Sequence, residues 1–157
     1  MVNIGIADLN VVKSPEVLAT YALGSCIGIC LYDAELKIAG LAHIMLPWSK
    51  DAGAAADNMR RYADTGITEL IQKMVAMGAK KYRLTAKIAG GAQMFSTNSA
   101  VFNIGERNIE AVKKVLGTYN IPIIAEETGL NFGRTVFFYS EDGIMEVKAA
   151  TRPTKRV

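Results

Sequence analysis

The sequence predicts one α/β domain: a single-domain α/β sandwich with largely antiparallel or mixed sheets and two long amphipathic helices. Three observations predict it. The chain has 157 residues, 50% hydrophobic and 21% charged, which suits one globular core and no second domain. Seven or so short runs of β-branched and aliphatic residues are bounded by turn signals, and only two segments switch to the helical period. With so few helices among so many strands, much of the pairing is expected to be antiparallel rather than doubly wound and parallel. Residues 1–150 are read as the domain, and 151–157 as a basic, flexible tail carrying Arg152, Lys155 and Arg156.

In chain order, residues 2–7 and 16–23 read as strands, broken at Lys13-Ser14-Pro15. Residues 27–32 and 37–43 read as a hairpin around the polar loop Asp33-Ala34-Glu35-Leu36. Residues 48–57 are small and polar, a loop past the hairpin's mouth in which Trp48 either lies over a substrate chain or covers the core edge. From Asp57 the period is helical: Met59, Ala63, Ile67, Leu70, Ile71 and Met74 share one face, Arg60, Arg61, Asp64, Glu69 and Lys73 the other, and Gly78 stops the helix. Residues 82–89 form a strand running into Gly90-Gly91-Ala92, where the backbone can turn sharply or approach another group closely. No Gly-Lys-Ser/Thr follows, so the glycine pair is not a phosphate loop.

After polar residues 96–100, Asn103 reads as the N-cap of the second helix, with Glu106 completing a capping box. Ile109, Val112, Leu116 and Tyr119 supply its apolar face, and Gly117 and Asn120 end it before Pro122. Residues 121–126, 135–139 and 144–148 read as strands, the last two joined at Glu141-Asp142-Gly143.

The chemistry concentrates in residues 20–47, which hold Cys26 and the only histidine, His43. A symmetric loop pairs Tyr32 with Lys37 and so puts Cys26 directly across from His43, where Cβ atoms are roughly 4.5 to 5.5 Å apart. An imidazole there can take the thiol proton and leave the nucleophilic thiolate. Gly24 and Ser25 precede the sulfur, and a turn at these residues can aim backbone N–H groups at a developing oxyanion. Alternation turns Cys26, Gly28, Cys30 and Tyr32 to one face of the strand and Ile27, Ile29 and Leu31 to the other; Cys30 is read as an inert core thiol. The plainer reading makes Cys26 a small buried hydrophobe and His43 a satisfied core residue, and spacing alone leaves both readings open.

Other classes are disfavoured. A net charge of +3 with scattered Lys and Arg makes no nucleic-acid footprint. No apolar run approaches the roughly 18 residues of a membrane span, and the N-terminus lacks a signal-peptide layout, so the chain is expected in the cytoplasm. Two cysteines four apart on one strand are about 13 Å from each other, too far to bridge. One histidine and two cysteines without close paired spacing are a poor zinc set; no metal and no cofactor are expected.

Four segments carry a resemblance: Leu-Gly-Ser-Cys ending at Cys26, Ala-His-Ile-Met-Leu-Pro from Ala42, Lys-Ile-Ala-Gly-Gly-Ala-Gln-Met-Phe from Lys87, and Asn-Ile-Gly-Glu-Arg-Asn from Asn103. In this order, over nearly the whole chain, they resemble the CheD family of chemoreceptor glutamine deamidases. The residues 128–134 depart from the family pattern, with Leu130 where a second glycine often follows Thr-Gly, while Gly133-Arg134 fits it.

The resemblance implies a hydrolase that converts glutamines of chemotaxis receptors to glutamate through a thioester on Cys26, with His43 as base. It also implies that the Thr20 hydroxyl orients the second nitrogen of His43; sequence alone makes Thr20 a β-branched strand filler. The implied partners are the helical cytoplasmic domain of a chemoreceptor and a CheC-type response-regulator phosphatase. A second reading is a binding module that docks and stimulates such a phosphatase with little catalysis. A third keeps the dyad in a cysteine protease or transglutaminase-like enzyme, and methylester hydrolysis on the same receptors is chemically accessible.

Overall fold

The computed structural model describes residues 1–51, 58–94 and 103–157. Strands β1 (Val2–Ile4), β2 (Asp8–Lys13), β3 (Val17–Leu23), β4 (Ile27–Asp33) and β5 (Ile38–Ile44) precede helix α1 (Ala63–Ala76). Strand β6 (Thr85–Gly90) and helix α2 (Ile104–Thr118) follow, then β7 (Ile123–Thr128), β8 (Arg134–Tyr139), β9 (Met145–Ala149) and β10 (Arg152–Arg156). One sheet runs β1-β3-β8-β9-β10 and the other β2-β5-β4-β6-β7. Both are mixed: β1 lies parallel to β3 and β7 parallel to β6, and the remaining pairs are antiparallel. The expected α/β sandwich is therefore present, with mixed sheets and two helices.

The layers follow from which side chains each strand sends to each face. Ile27, Ile29 and Leu31 of β4 pack with Ile67, Leu70 and Met74 of α1 and Val112 and Leu116 of α2. On the other face Cys30 and Tyr32 join Leu18, Val136 and Phe138 of the first sheet. All seven residues of β4 and of β5 are buried, because helices cover one face of this hairpin and a sheet the other, and both faces must be apolar. The alternation expected for β4 is observed.

The hairpin register is a correction. Asp33 pairs with Ile38, and Gly28, not Cys26, stands opposite His43. Asp33 stays in the strand because its buried carboxylate is held: Lys80 N–H and the Arg83 guanidinium, each at 2.9 Å, donate to Oδ2, and Oδ1 accepts from the loop amides of Glu35 and Leu36. The loop is displaced to residues 34–37, with Lys37 at φ 53°. A two-residue shift of the pairing sum preserves parity, so Gly28 and Cys30 keep their expected face, while Cys26 falls just ahead of the strand.

Two strands went unread. Asp8–Lys13 pairs antiparallel with β5. Arg152–Arg156, expected as a flexible tail, is an edge strand on β9, with Val157 bonded both ways to Met145 and its carbonyl accepting from Lys87 Nζ. Its five residues are all exposed; backbone pairing and surface ion pairs such as Lys155 to Glu127 make the strand, so no apolar alternation marks it.

The helix expected from Asp57 begins later. Residues 52–57 lie outside the described residues; Met59–Arg61 is a single 3-10 turn, and Met59 is exposed rather than part of the apolar face. Ala63, Ile67, Leu70, Ile71 and Met74 are buried as expected, and Gly78 follows the helix end with φ 112°. In α2, Val112 and Leu116 are fully buried, with Ile109 and Tyr119 packed against that core. Asn103 is the N-cap by position, but its side chain makes no capping bond. The loop expected at 96–100 lies outside the described residues.

Candidate active site

Thr20, on β3 of one sheet, meets His43, on β5 of the other. Thr20 is fully buried and His43 is 1% exposed. Thr20 Oγ1 donates to Ile4 O at 2.8 Å and lies 2.7 Å from His43 Nδ1. A hydroxyl has one proton; with that proton on the Ile4 carbonyl, Thr20 Oγ1 is left to accept from Nδ1–H. The lone pair of the neutral ring then resides on Nε2, which is buried and has no hydrogen-bond partner among the described residues. Burial lowers the His43 pKa from 6.5 to about 4, because the charged imidazolium is poorly solvated there. At neutral pH the ring is a neutral base with its acceptor nitrogen free.

Cys26 is half-buried and Cys30 fully buried, both as free thiols. Cys26 lies just ahead of β4, two residues before Gly28, the ladder partner of His43, and packs against the core cluster that holds Leu23 and Cys30. Burial raises its thiol pKa as it lowers that of His43, so the two rest as thiol and imidazole rather than thiolate and imidazolium. Cys30 faces the same interface, its thiol pushed far up by burial; it is core, as expected.

The cysteine turn is fixed from two sides, the end of β6 and helix α2. Gly91 N–H donates to Cys26 O at 2.8 Å, and Ala92 N–H to Gly24 O at 2.9 Å. Gly90 has φ 110°, and a Cβ there would collide with the Cys26 carbonyl oxygen, so the close approach expected of the glycine pair is an approach to the cysteine turn. From α2, Asn108 Nδ2 donates to Ser25 O and Met45 O, each at 2.9 Å. One carboxamide thus ties the entry of β4 to the exit of β5.

Sequence reasoning passed over Asn108 and Ile4. Asn108 ends one of the four segments singled out, and a polar residue on a helix face that is otherwise buried was the available signal. Nothing in the sequence pointed to the Ile4 carbonyl. Among the described residues no cluster of three His, Cys, Asp or Glu is arranged to hold a metal.

A thiol, a neutral imidazole and a hydroxyl that holds the imidazole tautomer are the groups that thiol-based acyl transfer requires. The family model described as CheD chemotactic sensory transduction matches residues 45–149. The chain is 51% identical to the probable chemoreceptor glutamine deamidase CheD of Caldanaerobacter subterraneus subsp. tengcongensis, over 100% of this chain and 98% of that one. It is 54% identical to the protein of the same description from Clostridium novyi, over 94% and 91% of the two chains. With the chemoreceptor glutamine deamidase CheD of Halalkalibacterium halodurans it shares 46% identity, over 100% and 98%. The chain belongs to the CheD family. Among solved structures, the Bacillus licheniformis hypothetical protein YfiH superposes with a TM-score of 0.49 at 16% identity, over 79% of this chain and 51% of that one.

Proposed function

We propose that the chain is a protein-glutamine deamidase acting on chemoreceptors, with Cys26 as nucleophile, His43 as base and acid, and Thr20 as the group that holds the His43 tautomer. The observation that carries this reading is the Thr20 to His43 hydrogen bond, which leaves Nε2 free to take a proton. The relatives' names supply the substrate.

Cys26 Sγ attacks the glutamine carboxamide carbon as its proton passes to His43 Nε2. The carbonyl oxygen becomes an oxyanion, which accepts from backbone N–H groups at Ser25 and Cys26 in the turn that begins at Gly24. Nε2–H then protonates the departing nitrogen, ammonia leaves, and a thioester remains. Water, deprotonated by Nε2, attacks the thioester; Cys26 regains a proton and the product is glutamate. The imidazolium formed midway is costly in a buried site, and the neutral carbonyl-facing hydroxyl of Thr20 orients the ring without offsetting that charge.

Exposed apolar side chains flank the turn. Met94 packs over Gly24, and Leu130, whose carbonyl accepts from Gln93 N–H, is 62% exposed. Such a rim suits a protein surface, here the helical cytoplasmic domain of a receptor, and a substrate of that kind implies that the chain works in the cytoplasm. No helix among the described residues is long and apolar enough to cross a membrane. A CheC-type phosphatase, the other partner the family resemblance implies, would compete for the same rim. Ammonia release from a receptor cytoplasmic fragment tests the activity, and it should vanish in Cys26→Ala while the fold is retained.

A further inference from the structure

Beside the cysteine turn lies a cavity of about 360 Å³, lined by Glu127, Leu130, Phe132, Arg134, Arg152 and Lys155 among others. Its wall is continuous with the site: Gly129 N–H donates to Gly90 O, Gln93 N–H to Leu130 O, and Arg134 pairs with Leu23 in the sheet. The guanidinium carbons of Arg134 and Arg152 each lie 4.2 Å from the Phe132 ring centroid. Arg134 is 3% exposed and donates to the Gly129 carbonyl at 2.9 Å and to the Gly90 carbonyl at 3.4 Å. Among the described residues neither arginine has a carboxylate within ion-pairing distance, and Glu127 is taken by Lys155 at 3.3 Å. A buried cation normally has a counter-ion, because two carbonyls and a ring face offset only part of its lost hydration. The lining carries three cations against one carboxylate.

We propose that this cavity is a carboxylate subsite that receives an acidic side chain of the substrate protein beside the target glutamine. The proposal rests on the deamidase reading for its substrate. Arg152, exposed at the mouth, offers a fork to the incoming carboxylate, and Arg134, at the wall, supplies the fixed positive field behind it. Phe132 holds both guanidinium groups at set distances. The subsite selects which glutamines reach Cys26: one with an acidic neighbour in register is bound, and one flanked by lysine is repelled.

The test is steady-state deamidation of a chemoreceptor cytoplasmic fragment by the full chain and by Arg152→Glu, with Arg152→Gln as a milder second variant. The expected result is a KM raised about tenfold or more by Arg152→Glu, kcat within about twofold, and a KM that rises with salt in the unmodified chain but not in the variant. Fragment affinity measured in a Cys26→Ala background should fall by the same factor when Arg152→Glu is added. Folded variants whose KM, affinity and salt dependence match the unmodified chain overturn the subsite. Competition by inorganic phosphate at constant ionic strength, stronger than by acetate, overturns the carboxylate assignment in favour of a phosphate site. Full turnover by Cys26→Ala would instead overturn the nucleophile, and the Arg152 comparison stands apart from that result.

Discussion

Thr20 Oγ1 and His43 Nδ1, on strands of different sheets, are 2.7 Å apart, and the threonine proton is already committed to Ile4 O. The chain Ile4, Thr20, His43 therefore fixes which ring nitrogen is the base. Thr20→Val keeps the shape and removes the acceptor. Its kcat should fall roughly 100-fold or more, since the wrong tautomer removes general-base assistance, while Thr20→Ser should retain most activity. Steady-state kinetics of both variants check this.

His43 also links stability to pH. Its folded pKa of about 4 lies below the ordinary 6.5, so between these values the unfolded chain binds more protons. Stability is then complete above about pH 6.5 and falls as pH drops toward 4, by an amount on the order of 3 kcal/mol. Asp33, Glu69 and Glu126, whose carboxyl pKa values are lowered by hydrogen bonds and cations despite burial, lose their contributions at lower pH, below their unfolded values. Urea unfolding from pH 4 to 8 should show the upper step in the unmodified chain and lose it in His43→Gln.

Gly90→Ala should be severe. The residue sits at φ 110°, and its added methyl meets the Cys26 carbonyl oxygen, a backbone atom that cannot yield without moving the nucleophile. A loss of roughly 2 to 4 kcal/mol is expected in chemical denaturation, and the folded fraction should also be inactive.

Asn108→Ala leaves Ser25 O and Met45 O without their donor, at a cost of about 1 to 3 kcal/mol. Because those carbonyls flank Cys26 and follow His43 in the chain, kcat should fall further than stability explains. Comparing kcat at temperatures well below the melting midpoint separates the two effects.

The central hairpin was legible because its composition is simple: apolar residues on both faces, bounded by a polar loop, and alternation that puts Cys26 with Gly28 and Cys30. The exact partner of His43 was not, since the loop's position depends on Asp33 being held by Lys80 and Arg83, more than forty residues away. Residues Arg152–Arg156 were invisible as a strand because an exposed edge needs no apolar pattern. Asn108 lay in a segment already singled out, yet its role depends on two carbonyls that only the folded chain brings together. The contact of Thr20 with His43 was expected through family resemblance; a lone threonine in a strand carries no such signal.

The most direct measurement is intact mass of a chemoreceptor cytoplasmic fragment after incubation with the unmodified chain and with Cys26→Ala. The account predicts a gain of about one dalton per modified glutamine, from NH₂ replaced by OH, with the unmodified chain only. An equal gain with Cys26→Ala, or none with either although the fragment binds, would contradict it.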